Sequence, residues 1–441
     1  MTQDEGKRII ERLLGVVKAD EVFIALSYSH NEILSLSPDR ILSSTANRDT
    51  SVQLSVRVGD RYATVTGNRL DEDSLAALAA RAVETARLLP KSDTLLHYTG
   101  AADIPPSSMA VPSEAPARKV WREEQAARII EEARVHNLRI GGSLATGSGA
   151  AAVASSNGLF AYQPSTYAAC SLRVYTGDGK AASYVDLRAR TAADIDPASA
   201  FREAVRRALA STDPLELPPG RYTVILEAPA VAELLLTMMR QFDMQAVEER
   251  RSFLRKLDGT PQIGAELFSR DLTVFSDPYH THVPSQPFTP DGQRIVRKEW
   301  VRNGVVASVT VGRVTAQKRE VEPVPFPSNL VVEGTTTSLD ELIATTKRGL
   351  LVPFLTPAFV EDASVCMMAA STQGGVFLIE EGRVGRAVRN MTLRETAVHL
   401  FREIDRFGTA LRTSTRSMAF PMHVPPLRIR DVMFSGPSGR L

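Results

Sequence analysis

One stretch constrains the fold of this chain more than any other. An extended run, Gly220-Arg221-Tyr222-Thr223-Val224-Ile225-Leu226-Glu227-Ala228-Pro229, leads straight into a helical pattern from Val231 to about Phe242. Val231, Leu234, Leu235, Met238, Met239 and Phe242 recur at helical spacing and make one apolar stripe, the side that faces a core. At about 100° per residue, Leu236 and Arg240 should point away from that stripe, toward a cleft or a partner. Such an i, i+4 pair is where a helix would place two metal-binding histidines. Leu236 has no donor atom, Thr237 cannot act as a general base at neutral pH, and the guanidinium of Arg240 repels a divalent cation. The helix is therefore expected to hold no metal.

At 441 residues the chain exceeds what one core usually serves, so two or three domains are expected. With 52 basic against 51 acidic residues, the net charge of +1 gives no bulk drive toward nucleic acid or an anionic membrane. Met1 to Arg8 leads into an amphipathic pattern rather than an apolar signal core, and no run of about 18 apolar residues appears. A soluble, cytoplasmic protein is expected. The two cysteines, Cys170 and Cys366, read as buried free thiols rather than a disulfide framework.

Gly6 to Val17 carries a helical pattern, and Glu21–Ser29 and Ser51–Val58 alternate as strands. Asp71-Glu72-Asp73-Ser74 then caps a helix that ends near Pro90. These elements predict an N-terminal α/β domain over 1–100. The proline-rich stretch 101–118 reads as a linker. A central α/β domain over 119–213 contains helices from Trp121 to His136 and from Phe201 to Ala210. Its turns fall at Asn157-Gly158 and Gly177-Asp178-Gly179. The remainder, 214–441, reads mostly as strand, with hairpin turns at Asn303-Gly304 and Glu381-Gly382. The fold class expected is α+β: mixed α/β domains followed by a domain with a curved, mainly antiparallel, barrel-like sheet.

Several fragments, in order along nearly the whole chain, resemble the TldD/PmbA (TldE) family. They include Val56-Arg57-Val58-Gly59-Asp60-Arg61-Tyr62-Ala63, Ala154-Ser155-Ser156-Asn157-Gly158, Leu217-Pro218-Pro219-Gly220-Arg221-Tyr222 and Arg251-Ser252-Phe253-Leu254. Trp300-Val301-Arg302-Asn303-Gly304, Phe377-Leu378-Ile379-Glu380-Glu381-Gly382 and Pro426-Leu427-Arg428-Ile429-Arg430-Asp431 complete the set. The resemblance implies three domains, dimers enclosing a peptide-sized cavity, and a zinc-bearing TldD subunit paired with a metal-free TldE/PmbA subunit. In the zinc-bearing member a His-Glu-x-x-x-His lies on the helix after the strand, and a cysteine ligand comes late in the chain. Here the helix reads Leu236-Thr237-Met238-Met239-Arg240, and Ala410-Leu411-Arg412-Thr413-Ser414 has no cysteine.

Both departures place the chain on the metal-free side. The expectation is a non-catalytic subunit of a heterodimeric zinc metallopeptidase, acting on small peptides or a peptide-like natural product. It would carry no cofactor of its own, with zinc in a TldD-like partner. The alternatives are an autonomous enzyme of metal-independent chemistry and a homodimeric binding protein.

Outside the helix, Asp277-Pro278-Tyr279-His280-Thr281-His282 is the best ligand cluster, because two histidines at i, i+2 on a strand share a face. Cys366 or His423 could add a third donor. Arg240 could bind a peptide carboxylate through two parallel hydrogen bonds. Arg240, Tyr279, His280 and His282 are the candidate substrate contacts. Ser148 and Ser435 lack the Gly-x-Ser-x-Gly elbow, and the glycine-rich run Gly141–Gly149 lacks the Lys-Ser/Thr of a phosphate loop. Glu248-Glu249-Arg250-Arg251 reads as a solvated helix end or an ion-pair patch.

Overall fold

A computed structural model describes residues 1–111, 118–416 and 418–438. Residues 112–117 of the expected linker lie outside the described residues. The first half is built on long strands: α1 (Gln3–Val16), β1 (Glu21–Leu36), β2 (Ile41–Val58), β3 (Arg61–Gly67), α2 (Glu72–Leu88), α3 (Arg118–Val135), β4 (Leu138–Ser155), β5 (Phe160–Thr176), β6 (Ala182–Ala189) and α4 (Pro197–Ala210). The caps are those the sequence specifies. Thr2 closes a capping box on α1 with Glu5, and Asp71 accepts from the Ser74 N–H at the start of α2.

The two N-terminal modules share one sheet, in the order β3-β2-β1-β4-β5-β6, and β1 pairs antiparallel with both β2 and β4. Side-chain parity divides this sheet into two unlike faces. On β1, Val22, Ile24 and Leu26 pack into a cluster with α1 and α2, while Leu34 and Leu36 pack with α3 and α4. On β5 and β6, Cys170, Leu172, Val174, Val185 and Leu187 complete the second cluster. All four helices cover that one face.

Among the described residues the other face carries no helix. Phe23, Val153, Leu159 and Ala161 on it meet Ile104 and Phe288, so the described part of the linker is packed rather than solvated. Ser107 fixes it, its N–H donating to Gln163 Oε1 at 2.6 Å and its hydroxyl to the Ser285 carbonyl at 2.7 Å.

Beyond residue 219 the elements are β7 (Gly220–Leu226), α5 (Ala228–Met239), α6 (Met244–Glu248), β8 (Val274–Ser276), β9 (Lys298–Arg302), β10 (Val305–Val306), α7 (Arg313–Arg319), β11 (Leu330–Val332), α8 (Leu339–Ala344), β12 (Arg348–Val352), β13 (Phe354–Leu355), β14 (Phe359–Asp362), β15 (Met367–Gln373), β16 (Val376–Glu380), β17 (Arg383–Val388), β18 (Met391–Thr396), α9 (Ala397–Arg402), β19 (Ile404–Phe407), β20 (Leu411–Ser414), β21 (Pro421–Val424) and β22 (Leu427–Pro437). The expected mainly antiparallel sheet is present. It has ten strands along β13-β15-β18-β22-β7-β12-β16-β17, with β14 on β15, β19 on β22 and one parallel pair, β7–β12. A second, six-stranded sheet, β10-β9-β8-β11-β21-β20, accompanies it. Between them lies the largest core, which includes α5, Phe242, Trp300 and Phe401. No helix among the described residues is long and apolar enough to cross a membrane.

Candidate functional site: a charged cleft over the bare face of the sheet

Helix α5 starts as its sequence directs, with Pro229 in the first turn where its missing N–H costs no hydrogen bond. Glu227 ahead of it pairs with Arg207 of α4 at 2.9 Å, which ties the helix to the neighbouring module. The helix is more deeply set than the apolar stripe implies. Every residue from Ala230 to Met239 is buried, so Leu236, expected to face a cleft, lies in the core instead. The packing explains this: β20 and β21 of the second sheet and β7, β13 and β15 of the ten-stranded sheet all pack against the helix.

The polar side chains on α5 are Glu233 and Thr237, four residues apart and both buried. The Thr237 hydroxyl donates to the Glu233 carbonyl at 2.8 Å and to the Ala358 carbonyl at 3.3 Å, so its capacity is consumed locally. Glu233 Oε1 accepts from the backbone N–H of Arg416 at 2.8 Å. Burial pushes the Glu233 carboxyl above the usual range, against the pull of Arg416 and Arg240. One carboxylate, one engaged hydroxyl and aliphatic neighbours do not make a zinc donor set. The helix does not fit the ion that the family resemblance implies.

Beside α5, a cleft of about 510 Å³ opens between the bare face of the first sheet and the C-terminal half. Arg173, Tyr184, Asp186 and Arg188 project from β5 and β6, and Gln373, Ser414 and Arg416 face them. Arg416 organises the site. Its guanidinium lies 4.3 Å from the Tyr184 ring centroid and 3.8 Å from Asp186 Oδ2, and it donates to Gln373 Oε1 at 2.8 Å. Arg173 lies over the same ring at 5.1 Å, so Tyr184 is held between two cations. Burial raises the Asp186 carboxyl, while Arg416 and Arg188 pull it down. Asp186 also raises Glu233, so the two acids sense each other.

None of the sequence-derived candidates lines this cleft. Arg240, at the C-cap of α5, is exposed and its guanidinium reaches the Met418 sulfur. Tyr279 spends its hydroxyl on the Pro105 carbonyl at 2.9 Å. His280 and His282 sit on a loop, not a strand, yet they do meet, with ring centroids 5.7 Å apart. His423 of β21 joins them, 5.5 Å from His280 and stacked on His282 at 4.6 Å. Burial and the two neighbouring imidazoles lower His423 to about 4, and His280 is lowered by burial and then by His282.

Cys366 is instead buried in the main core, its thiol pushed up to about 12 by burial. Among the described residues no group of three or more His, Cys, Asp or Glu side chains is arranged to hold a metal ion. Sequence reasoning missed Glu233, Asp186, Tyr184 and Arg416. The available signals were a lone glutamate inside the apolar run Ala232-Glu233-Leu234-Leu235 and the alternation Tyr184-Val185-Asp186-Leu187-Arg188.

Comparison with known proteins fits this geometry. Residues 219–436 match the PmbA/TldA metallopeptidase C-terminal domain, and residues 113–212 match the PmbA/TldA metallopeptidase central domain. A metalloprotease of Methanothermobacter thermautotrophicus is 23% identical over 194 residues, a match spanning 40% of this chain and 42% of that protein. TldE from Thermococcus kodakarensis superposes with a TM-score of 0.85 at 17% identity, covering 98% of this chain and 100% of the other. A putative modulator of DNA gyrase from Bacteroides thetaiotaomicron gives 0.83 at 22% identity, covering 99% and 100%. With both domain models and the fold in agreement, the chain belongs to the PmbA/TldD family.

Proposed function

We propose that this chain is the metal-free, TldE/PmbA-like subunit of a heterodimeric metallopeptidase. In this reading a TldD-like partner supplies the zinc, and the pair processes small peptides or a peptide-like natural product in the cytoplasm. The supporting observation is α5. The helix that would bear metal ligands is buried on every side, and its polar groups, Glu233 and Thr237, are engaged by Arg416 and by backbone carbonyls. The subunit's own contribution would be a cleft that admits an extended peptide between Tyr184, Arg188 and Arg416. His280, His282, Tyr279 and Arg240 would belong to the surrounding peptide-facing surface.

Reconstitution tests the reading. The chain alone should hydrolyse no peptide, and hydrolysis should appear on mixing with a TldD-like subunit and vanish with chelator. Chelator-sensitive peptidase activity of the isolated chain would contradict it.

One observation favours a second reading, an autonomous metal-independent enzyme. Buried Glu233 and half-buried Asp186 are two carboxyls with raised pKa values that act on one another beside a cleft, the arrangement general acid–base catalysis uses. Turnover by the isolated chain that resists chelation and is lost in Glu233→Gln would support it.

A further inference from the structure

β6 is the outermost strand of the first sheet and β20 the outermost strand of the second, and the two edges lie against each other. Strand parity puts Tyr184, Asp186 and Arg188 on the bare face of β6, and Arg190 continues that alternation just past the strand. On β20, Arg412 and Ser414 share a face, and Arg416 follows at the same spacing. The two rows correspond. Arg416 meets Tyr184 and Asp186, while Ser414 and Arg188 line the same cleft. Arg412 lies close enough to Arg190 for that neighbour, after burial, to pull its guanidinium below the ordinary arginine value.

The charges along this seam do not balance. Four guanidiniums, those of Arg188, Arg190, Arg412 and Arg416, border it. Among the described residues its ion pair is Arg416 with Asp186, while Asp194 acts on Arg412 through charge without an ion pair. Arg188 is exposed and lies over the Tyr167 ring at 5.3 Å, with no hydrogen bond or ion pair among the described residues. Arg412 is half-buried and its side chain likewise has neither. Arg190 donates from Nη1 to the Ser108 carbonyl at 2.7 Å, but its Nε is buried without a partner. A half-buried like-charge pair is costly unless an anion completes it.

We propose that the seam between β6 and β20 binds an acidic peptide segment in extended form, one carboxylate seated between Arg190 and Arg412 and another at Arg188. Guanidinium forks match carboxylates through paired hydrogen bonds. The half-buried ring of Tyr167, under the Arg188 guanidinium, offers apolar surface beside that position. From residue 184 to 190 an extended strand rises about 20 Å, room for about six residues of bound peptide. The inference deepens the proposed function and rests on its placing of an extended peptide at this cleft, but it requires no metal-bearing partner.

Fluorescence anisotropy of the full chain with a labelled hexapeptide of alternating glutamate and alanine tests this, with the glutamine counterpart as control. The acidic peptide should bind at least about tenfold more tightly at low salt, and the gap should shrink as salt screens it. Arg188→Gln and Arg412→Gln should each weaken the acidic peptide by about fivefold or more while leaving the glutamine peptide unchanged. Arg188 is exposed, so its variant keeps the test valid should Arg412→Gln misfold. Equal binding of the two peptides, or unchanged affinity in Arg188→Gln, would overturn the proposal. Inorganic phosphate that displaces the peptide with equal or better affinity would also overturn it, assigning the seam to phosphate. No partner and no hydrolysis are involved, so failure here leaves the subunit reading standing.

Discussion

On one face of the six-stranded sheet, Ile24, Leu26, Leu172 and Val185 disappear under four amphipathic helices; on the other, Arg173, Tyr184, Asp186 and Arg188 open onto a cleft. The strands are the same, and alternate residues of β6 serve opposite ends. The helix-covered face excludes water through shape and area, so its side chains stabilise the fold. The bare face keeps charges that the fold does not fully satisfy, which is how binding surfaces are recognised. Helix α5 completes the contrast. It stands where a metallopeptidase would place its ligands, yet it behaves like the apolar face.

The largest effect should come from the covered face. Phe201, on α4, is 1% exposed, and Phe201→Ala should cost about 3–5 kcal/mol in urea denaturation, the range for buried aromatic truncation. A loss under about 1 kcal/mol would mean that α4 is poorly packed on the sheet.

On the bare face, Glu21 accepts from Arg57 Nη2 at 2.7 Å and the Tyr98 N–H at 2.8 Å, and it contacts His97. Its carboxyl is lowered from 4.5 to about 2; burial opposes this shift, and hydrogen bonds from His97, Tyr98, Arg57 and Asn157 produce it. A depressed carboxylate contributes stability that is present above its unfolded value and disappears as pH falls from about 4.5 toward about 2. The loss should be about 3 kcal/mol. Glu21→Gln should remove that slope; an unchanged acid limb would break the assignment.

Arg416→Ala deletes the Asp186 pair, the Gln373 hydrogen bond and the Tyr184 contact at once, and about 1–2 kcal/mol should be lost in the same assay. The smallest effect sharpens the contrast most. Arg188→Gln should change stability by less than about 0.5 kcal/mol, because the side chain is exposed and makes no ion pair among the described residues. A large loss there would show the bare face to be structural after all.

Local physics made part of this legible. Asn303 and Gly304 take φ of 49° and 77°, and Glu381 and Gly382 take 46° and 74°, which is the left-handed geometry their hairpins require. The capped helix after Asp71 was readable for the same reason, since Asp71 and Ser74 are three residues apart. What the sequence hid is long-range. Nothing local shows that β1 pairs with β4 more than 100 residues later, or that His423 stacks on His282. The periodicity of α5 located its core stripe but not the strands that cover its other side, so Leu236 read as cleft-facing and Glu233 passed unnoticed. The seam needed both halves of the molecule, because the rows that carry Arg190 and Arg412 come together only through the packing of β6 against β20.

Metal analysis of the purified chain tests the central claim most directly. After equilibration with zinc and dialysis, elemental analysis should find well under about 0.1 zinc per chain, since α5 offers no set of ligands. One equivalent of zinc that survives His282→Ala but is lost in Glu233→Ala would contradict the account, because it would place the ion on the helix described here as closed.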